Sequence, residues 1–183
     1  MNDEQRAALA NYGALVAKVD AKSAAVVAAH ADQFACRRGC HSCCQPGLTV
    51  NAVEAAHVRA YVEATPGLAA TLAALVAAAP HGGTRCALLT EAGACSIYAA
   101  RPLVCRSHGL PLTVTEAGGT RRDVCPLNFT GRDLADIPAS DVVNLDTLNT
   151  LLTLIDRQYT GDASGNPARV RLVEAATGAD KLP

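Results

Sequence analysis

The chain has 183 residues, a formal net charge of −1, a pI near 6.5 and only 3% aromatic residues. This balance does not favour a surface built to neutralise phosphates or stack bases, so nucleic acid is not an expected partner. Half of the residues are apolar, but alanine dominates, Trp is absent and there are two Phe and one Met; at about 25 cal/mol per Å² of buried apolar surface such a core is thin, and another staple is expected.

Asn2 with Gln5 has the pattern of a capping box. Leu9, Tyr12, Val16, Val19, Val26 and Phe34 then recur at steps of three and four, or multiples of them. The spacing predicts a helix over residues 3–33 with one apolar stripe. His30, close to the end of that stripe, reads as an ordinary histidine rather than a ligand.

The next stretch is Cys36-Arg-Arg-Gly-Cys40-His-Ser-Cys43-Cys44, which holds four of the eight cysteines. Gln45-Pro46-Gly47 breaks the chain after it. Asn51 and Glu54 form a second capping-box pattern, opening a helix to about Ala64. Thr65-Pro66 reads as N-cap and first residue of a third helix, ended by Pro80 and Gly82-Gly83. His57 reads as a surface residue.

Residues 84–128 change character. Arg85-Cys86 to Thr90 and Ala94-Cys95 to Tyr98 flank Glu91-Ala92-Gly93 as in a tight hairpin, and Leu110–Val114 with Thr120–Val124 flank Glu116-Ala117-Gly118-Gly119 in the same way. Between them Tyr98 to Pro102 allows one helical turn before proline interferes. The segment is polar and turn-rich, with little apolar surface to offset backbone ordering of about 1–2 kcal/mol per residue. Metal–thiolate bonds are the expected source of its order. From Ser140 a stripe of Val142, Leu145, Leu148, Leu152, Ile155 and Tyr159 predicts another helix, ended by Gly161, and Asn166-Pro167 is read as starting a last short helix to Gly178.

The expected fold class is therefore mainly α, with helices at both ends around a small cysteine-rich, partly β-hairpin metal-binding centre. One domain over 1–183 is expected: a cysteine core at 36–128, the helix 3–33 before it and helices within 140–178 after it.

Clustered thiols can hold metal, oxidise to disulfides or supply a nucleophile. No apolar run approaches the roughly 18–20 residues of a membrane span, and Met1 to Arg6 lacks the basic-then-apolar order of a signal peptide. A cytoplasmic setting with reduced thiols is expected, without a membrane partner, which favours metal over disulfides. A Cys–His hydrolase needs one privileged cysteine rather than eight. No strand, Gly-rich turn and helix succession suggests a nucleotide-type cofactor. A nucleic-acid-binding zinc ribbon would show two C-x2-C knuckles and a basic face.

Cys40 and Cys43, spaced C-x2-C, can reach one ion from a single turn. Cys43 and Cys44 are adjacent, so they serve two centres or require an unusual local turn. Cys36, Cys40, Cys43, Cys44, Cys86, Cys95, Cys105 and Cys125 are all expected ligands, at one or two sites, of zinc or iron, an iron–sulfur cluster included; His41 and His108 are alternatives. Arg37, Arg38, Arg85, Arg101, Arg106, Arg121 and Arg122 each lie within four residues of a cysteine. They are expected to offset the charge of about −2 on a tetrathiolate centre and to lower thiol pKa values.

Cys36-x3-Cys40-x2-Cys43-Cys44, followed by Cys95-Ser-Ile-Tyr98-x2-Arg101-Pro102-x2-Cys105-Arg106-x-His108-Gly109, resembles the YkgJ-type cysteine-cluster family. The family pattern is CxxCxxCC; here the first gap is three residues instead of two. The resemblance covers residues 36 to about 128. It implies a zinc- or iron-chelating domain, related to a domain of flagellin lysine methylases, and its members divide between zinc binders and iron–sulfur oxidoreductases. A metal-binding protein is thus the leading expectation, with an iron–sulfur oxidoreductase or an accessory domain of a lysine-methylating system as the alternative. No catalytic residue, substrate or protein partner is named by the sequence.

Overall fold

In a computed structural model, which describes residues 1–37, 39–79, 83–162, 164 and 168–179, the chain begins with helix α1, Asp3–Ala29. The expected capping box closes it: Asn2 Oδ1 accepts from the Gln5 N–H at 2.8 Å, and Gln5 Oε1 accepts from the Asn2 N–H at 3.0 Å. The helix stops earlier than predicted. His30 is pinned sideways, its Nε2 2.9 Å from Asp141 Oδ2 and its ring edge-on to Phe129, and residues 31–33 form a 3₁₀ turn instead.

Strand β1, Thr49–Asn51, runs directly into α2, Ala52–Ala64, whose capping box joins Asn51 and Glu54. Helix α2 is the central element. Val53 packs against Tyr12, Val16 and Val19 of α1, whereas Ala55, Val58 and Val62 belong to a second apolar cluster. Ala52, Ala55 and Ala56 are buried, and their small side chains let neighbours approach closely. His57 is half-buried rather than on the surface, because its ring meets Tyr12 edge-on at 5.1 Å between centroids.

Helix α3, Leu68–Ala78, starts two residues later than the Thr65-Pro66 reading. Gly67, at φ 77°, makes the entry turn, and the Thr65 hydroxyl donates back to Tyr61 O. The proposed stop at Pro80 and Gly82 lies outside the described residues; the helix ends at Ala78. Helices α2 and α3 are bent by 115° to each other, and among the described residues no single helix is long and apolar enough to cross a membrane.

The segment expected to be poor in core contacts is not. Leu88 and Ile97 are fully buried in the cluster with α2, and Leu103 is buried in the cluster with α1. The first hairpin is reduced to one bridge, Leu89 with Cys95, around the turn Thr90–Gly93. Its arms do not extend into strands because Leu88 and Ile97 turn inward and the Cys86 N–H is taken by Cys44 O at 2.8 Å. The short helical turn expected between Tyr98 and Pro102 is a 3₁₀ turn, Tyr98–Ala100, and after it comes a helix that was not expected, α4, Leu103–Ser107. Pro102 stands at its N-cap, where a missing N–H costs nothing.

The second hairpin forms as expected, β2 Leu112–Glu116 with β3 Gly119–Asp123. Strand β4, Val143–Asn144, adds to β2 in parallel, with Leu112 opposite Val143. That pairing delays α5 to Leu145–Thr160, five residues after the predicted start. Within α5 the stripe holds: Leu148 and Leu152 pack on α1, and Gly161 at φ 72° ends the helix. Asn166-Pro167 lies outside the described residues. The last helix, α6, is Leu172–Thr177 and is preceded by strand β5, Arg169–Arg171, antiparallel to β1 with Val50 opposite Val170. Among the described residues the architecture is mainly helical, with two small sheets.

Candidate metal centre

The cysteine-rich stretch after α1 is a chain of tight turns. Cys40 N–H bonds to Arg37 O, Cys44 N–H to His41 O and Gln45 N–H to Cys43 O, each at 2.9 Å. Gly39 sits at φ 90°, the region that L side chains avoid. These turns put Cys40, Cys43 and Cys44 on the wall of one cavity of about 820 Å³. Cys86, Cys95 and Cys105 line the same cavity, joined by His108. Adjacent Cys43 and Cys44 both line this wall, with their thiols near each other.

Cys36 and Cys125 do not line it. The Cys36 thiol stands beside those of Cys40 and Cys125 and next to the amide of Asn128, whose Nδ2 donates to Cys36 Sγ at 3.4 Å. Asn128 is buried; its Oδ1 accepts from Ala35 N–H and its Nδ2 also donates to Gly109 O. The following residue, Phe129, has φ 51° and donates its N–H to Gln33 O, tying the Cys125 arm to the end of α1.

Two cysteine arms meet across Gly93. A Cβ built there would lie 2.9 Å from His41 Nδ1 and 3.1 Å from Gly39 O, and φ is 75°. Gly93→Ala is therefore expected to destabilise the fold by about 1–3 kcal/mol and to weaken metal retention, as read by denaturant titration with chelator and by metal competition. His41 Nδ1 lies 2.8 Å from Gly39 O, which leaves Nε2 as its available ring nitrogen.

All eight cysteines are free thiols. Burial pushes Cys105 up to about 12, with neighbouring Cys95, Cys44 and Cys43 adding to the effect. Cys43 rises to about 11, chiefly by desolvation and then through Cys44. Cys36, Cys44, Cys86 and Cys95 are raised in the same direction, in each case mainly by desolvation. The arginines were expected to lower these thiols, but Arg101 only partly opposes burial at Cys95 and Cys105. The reason is placement. Arg106, Arg121 and Arg122 are engaged with Asp20, with Glu116 and Asp123, and with backbone carbonyls of residues 134–137. Arg38 lies outside the described residues, and of the six of these arginines that are described Arg37 and Arg101 line the cavity. Arg101 stacks on the Tyr98 ring, 3.5 Å from its centroid. Arg169 and Leu172 line it too; they come from the C-terminal strand and helix, and no local pattern marks them.

Among the described residues no Asp or Glu lines the cavity. A wall of thiols with one imidazole suits zinc or iron and not the hard, oxygen-seeking cations. The donor chemistry therefore fits such a metal. Among the described residues no three His, Cys, Asp or Glu groups stand close enough together to hold a metal ion; metal entry must therefore draw thiols together as well as deprotonate them.

Residues 35–126 match the family model "CxxCxxCC: Putative zinc- or iron-chelating domain". Neither the curated proteins nor the solved structures include a match. Because the match runs over half of the chain, from the residue before Cys36 to the residue after Cys125, the protein belongs to the CxxCxxCC family of zinc- or iron-chelating cysteine domains.

Proposed function

We propose that the protein chelates zinc or iron in the cavity through Cys44, Cys86, Cys95 and Cys105, with Cys40 and Cys43 at its edge. The observation that carries this is the grouping of six thiols from sequence-distant segments around one cavity that no carboxylate enters among the described residues. Cys44 feels the thiols of Cys86 and Cys95, and Cys105 those of Cys95, Cys44 and Cys43; the four more buried of these five make up the inner set, with exposed Cys43 beside them. Cys36 and Cys125, grouped with Cys40 beside Asn128, supply a second set.

Bound there, zinc supplies a cross-link between three chain segments, and iron adds a one-electron couple. The chain's own residues do the rest. Arg37 and Arg101 bring positive charge to a centre whose thiolates leave it anionic, and the exposed Tyr98 holds the Arg101 guanidinium by stacking. Cavity size supports a second reading, an iron–sulfur cluster or an ion with a small substrate beside it. About 820 Å³ falls within the range of small-molecule sites, about 300–1,000 Å³, and one ion does not fill it.

Protein purified anaerobically is expected to carry at least about one equivalent of zinc or iron per chain. Elemental analysis measures it, and visible absorption with matching acid-labile sulfide separates a cluster from colourless zinc. Metal-free protein with every thiol oxidised to disulfides would overturn the reading.

A further inference from the structure

Cys95 and Cys105 approach the cavity from either side of a nine-residue connector, residues 96–104, that includes the turn Tyr98–Ala100 and the start of α4. What fixes that connector is not sulfur. The side chain of Arg106 is 5% exposed. Its Nε donates to Arg101 O at 2.6 Å, its Nη2 to Ala99 O, and its Nη1 to Asp20 Oδ2 of α1 at 2.6 Å. From the other side Glu54 Oε1 accepts from the Leu103 N–H at 2.9 Å.

We propose that Arg106 is a positioning residue of the metal centre, one that sets the Cys95–Cys105 separation through a buried clamp anchored to α1 by Asp20. The proposal rests on the chelation reading above. The planar guanidinium presents donors along fixed directions, so two carbonyls of the connector and one carboxylate of α1 can be held at once. A lysine has no such fork. Its ammonium could keep the Asp20 pair or one carbonyl, but not all three partners in their present places. The charge of Arg106 is matched by Asp20 and its donors face the connector, so its part in the site is geometric.

The test is anaerobic titration of the full chain with Co2+, followed by competition with Zn2+, on wild type, Asp20→Asn, Arg106→Lys, Arg106→Gln and the Asp20→Asn/Arg106→Gln double variant. Arg106→Gln is expected to weaken Co2+ binding about 10–100-fold, the usual cost of losing an outer support of a metal ligand, and to alter the cobalt–thiolate spectrum. Arg106→Lys fails to restore that spectrum. Asp20→Asn, at a position 48% exposed, shifts affinity the same way by less, and the double variant is no weaker than Arg106→Gln alone.

A purely structural arginine would lower the thermal stability of the chelated protein yet leave cobalt affinity and spectrum of the folded fraction unchanged; that result overturns the proposal. So do affinities of Asp20→Asn and Arg106→Lys within about twofold of wild type, and these two decide if Arg106→Gln does not fold. Wild type that takes up no Co2+ would instead overturn the chelation reading itself, a distinct result.

Discussion

Serine at Cys44 is expected to empty the cavity of tightly held metal, whereas serine at Cys43 is expected to leave a large fraction in place. Cys44 is half-buried, its carbonyl receives the Cys86 N–H at 2.8 Å, and its thiol is near those of Cys86 and Cys95. Cys43 is exposed, although its thiol is near those of Cys44, Cys40 and Cys105. A structural tetrathiolate zinc site is worth about 10–16 kcal/mol, so one of four ligands accounts for about 2.5–4 kcal/mol, or roughly 10²–10³-fold in affinity. Cys44→Ser should show a loss of that order in competition with a chromophoric chelator. Cys43→Ser should show at most a tenth of it, roughly 10–10²-fold, or about one to two pKd units. Equal loss from both would mean that the two adjacent thiols hold one centre together, and the inner set named above would be wrong.

Glu54→Ala is expected to lower stability by about 3–4 kcal/mol, because it leaves several buried donors unpaired at about 1–3 kcal/mol each before any recovery by water. Those donors are the Leu103 N–H at 2.9 Å, the Asn51 N–H at 3.1 Å and the Tyr12 hydroxyl at 3.4 Å. For a chain of this size the melting temperature should fall by roughly 10 °C. Since the Leu103 N–H begins α4, metal affinity should fall with it.

The carboxyl also makes a pH signature. Burial raises Glu54 above its ordinary 4.5, and the Leu103 and Asn51 N–H groups only partly oppose this. A carboxyl raised on folding holds its proton more tightly in the folded state, so its contribution is fully present below the unfolded value and is lost as pH rises through the folded one. Urea midpoints of Glu54→Gln measured from pH 4 upward should decline less than those of wild type. An equal decline would assign the slope to Asp156, whose carboxyl burial also raises.

Much of the helical frame was legible because it is written locally. The Asn2–Gln5 and Asn51–Glu54 boxes, the stripes of α1 and α5 and the Gly161 stop each depend on residues within a few positions of one another. The short-range pattern of β2 and β3 was equally local. The density of cysteine announced thiol chemistry for the same reason: composition survives any fold.

Other features depended on partners far along the chain. Residues 84–128 looked too polar to hold themselves, yet Leu88, Ile97 and Leu103 are buried against helices that lie before and after them in sequence. The start of α5 moved because Val143 found Pro111 and Leu112. Arg106 and Arg122, which sit close to cysteines in sequence, turned to Asp20 and to distant carbonyls, while Arg169, more than forty residues beyond the last cysteine, reached the cavity. Sequence alone carried the thiol-rich segment, its resemblance to a zinc- or iron-chelating family and the helices that frame it. The tertiary structure decided which thiols share a wall and which cations face them, because burial, and with it the preference of a charged or sulfur-bearing group for one neighbour over another, is set by the packing of segments that local pattern cannot bring together.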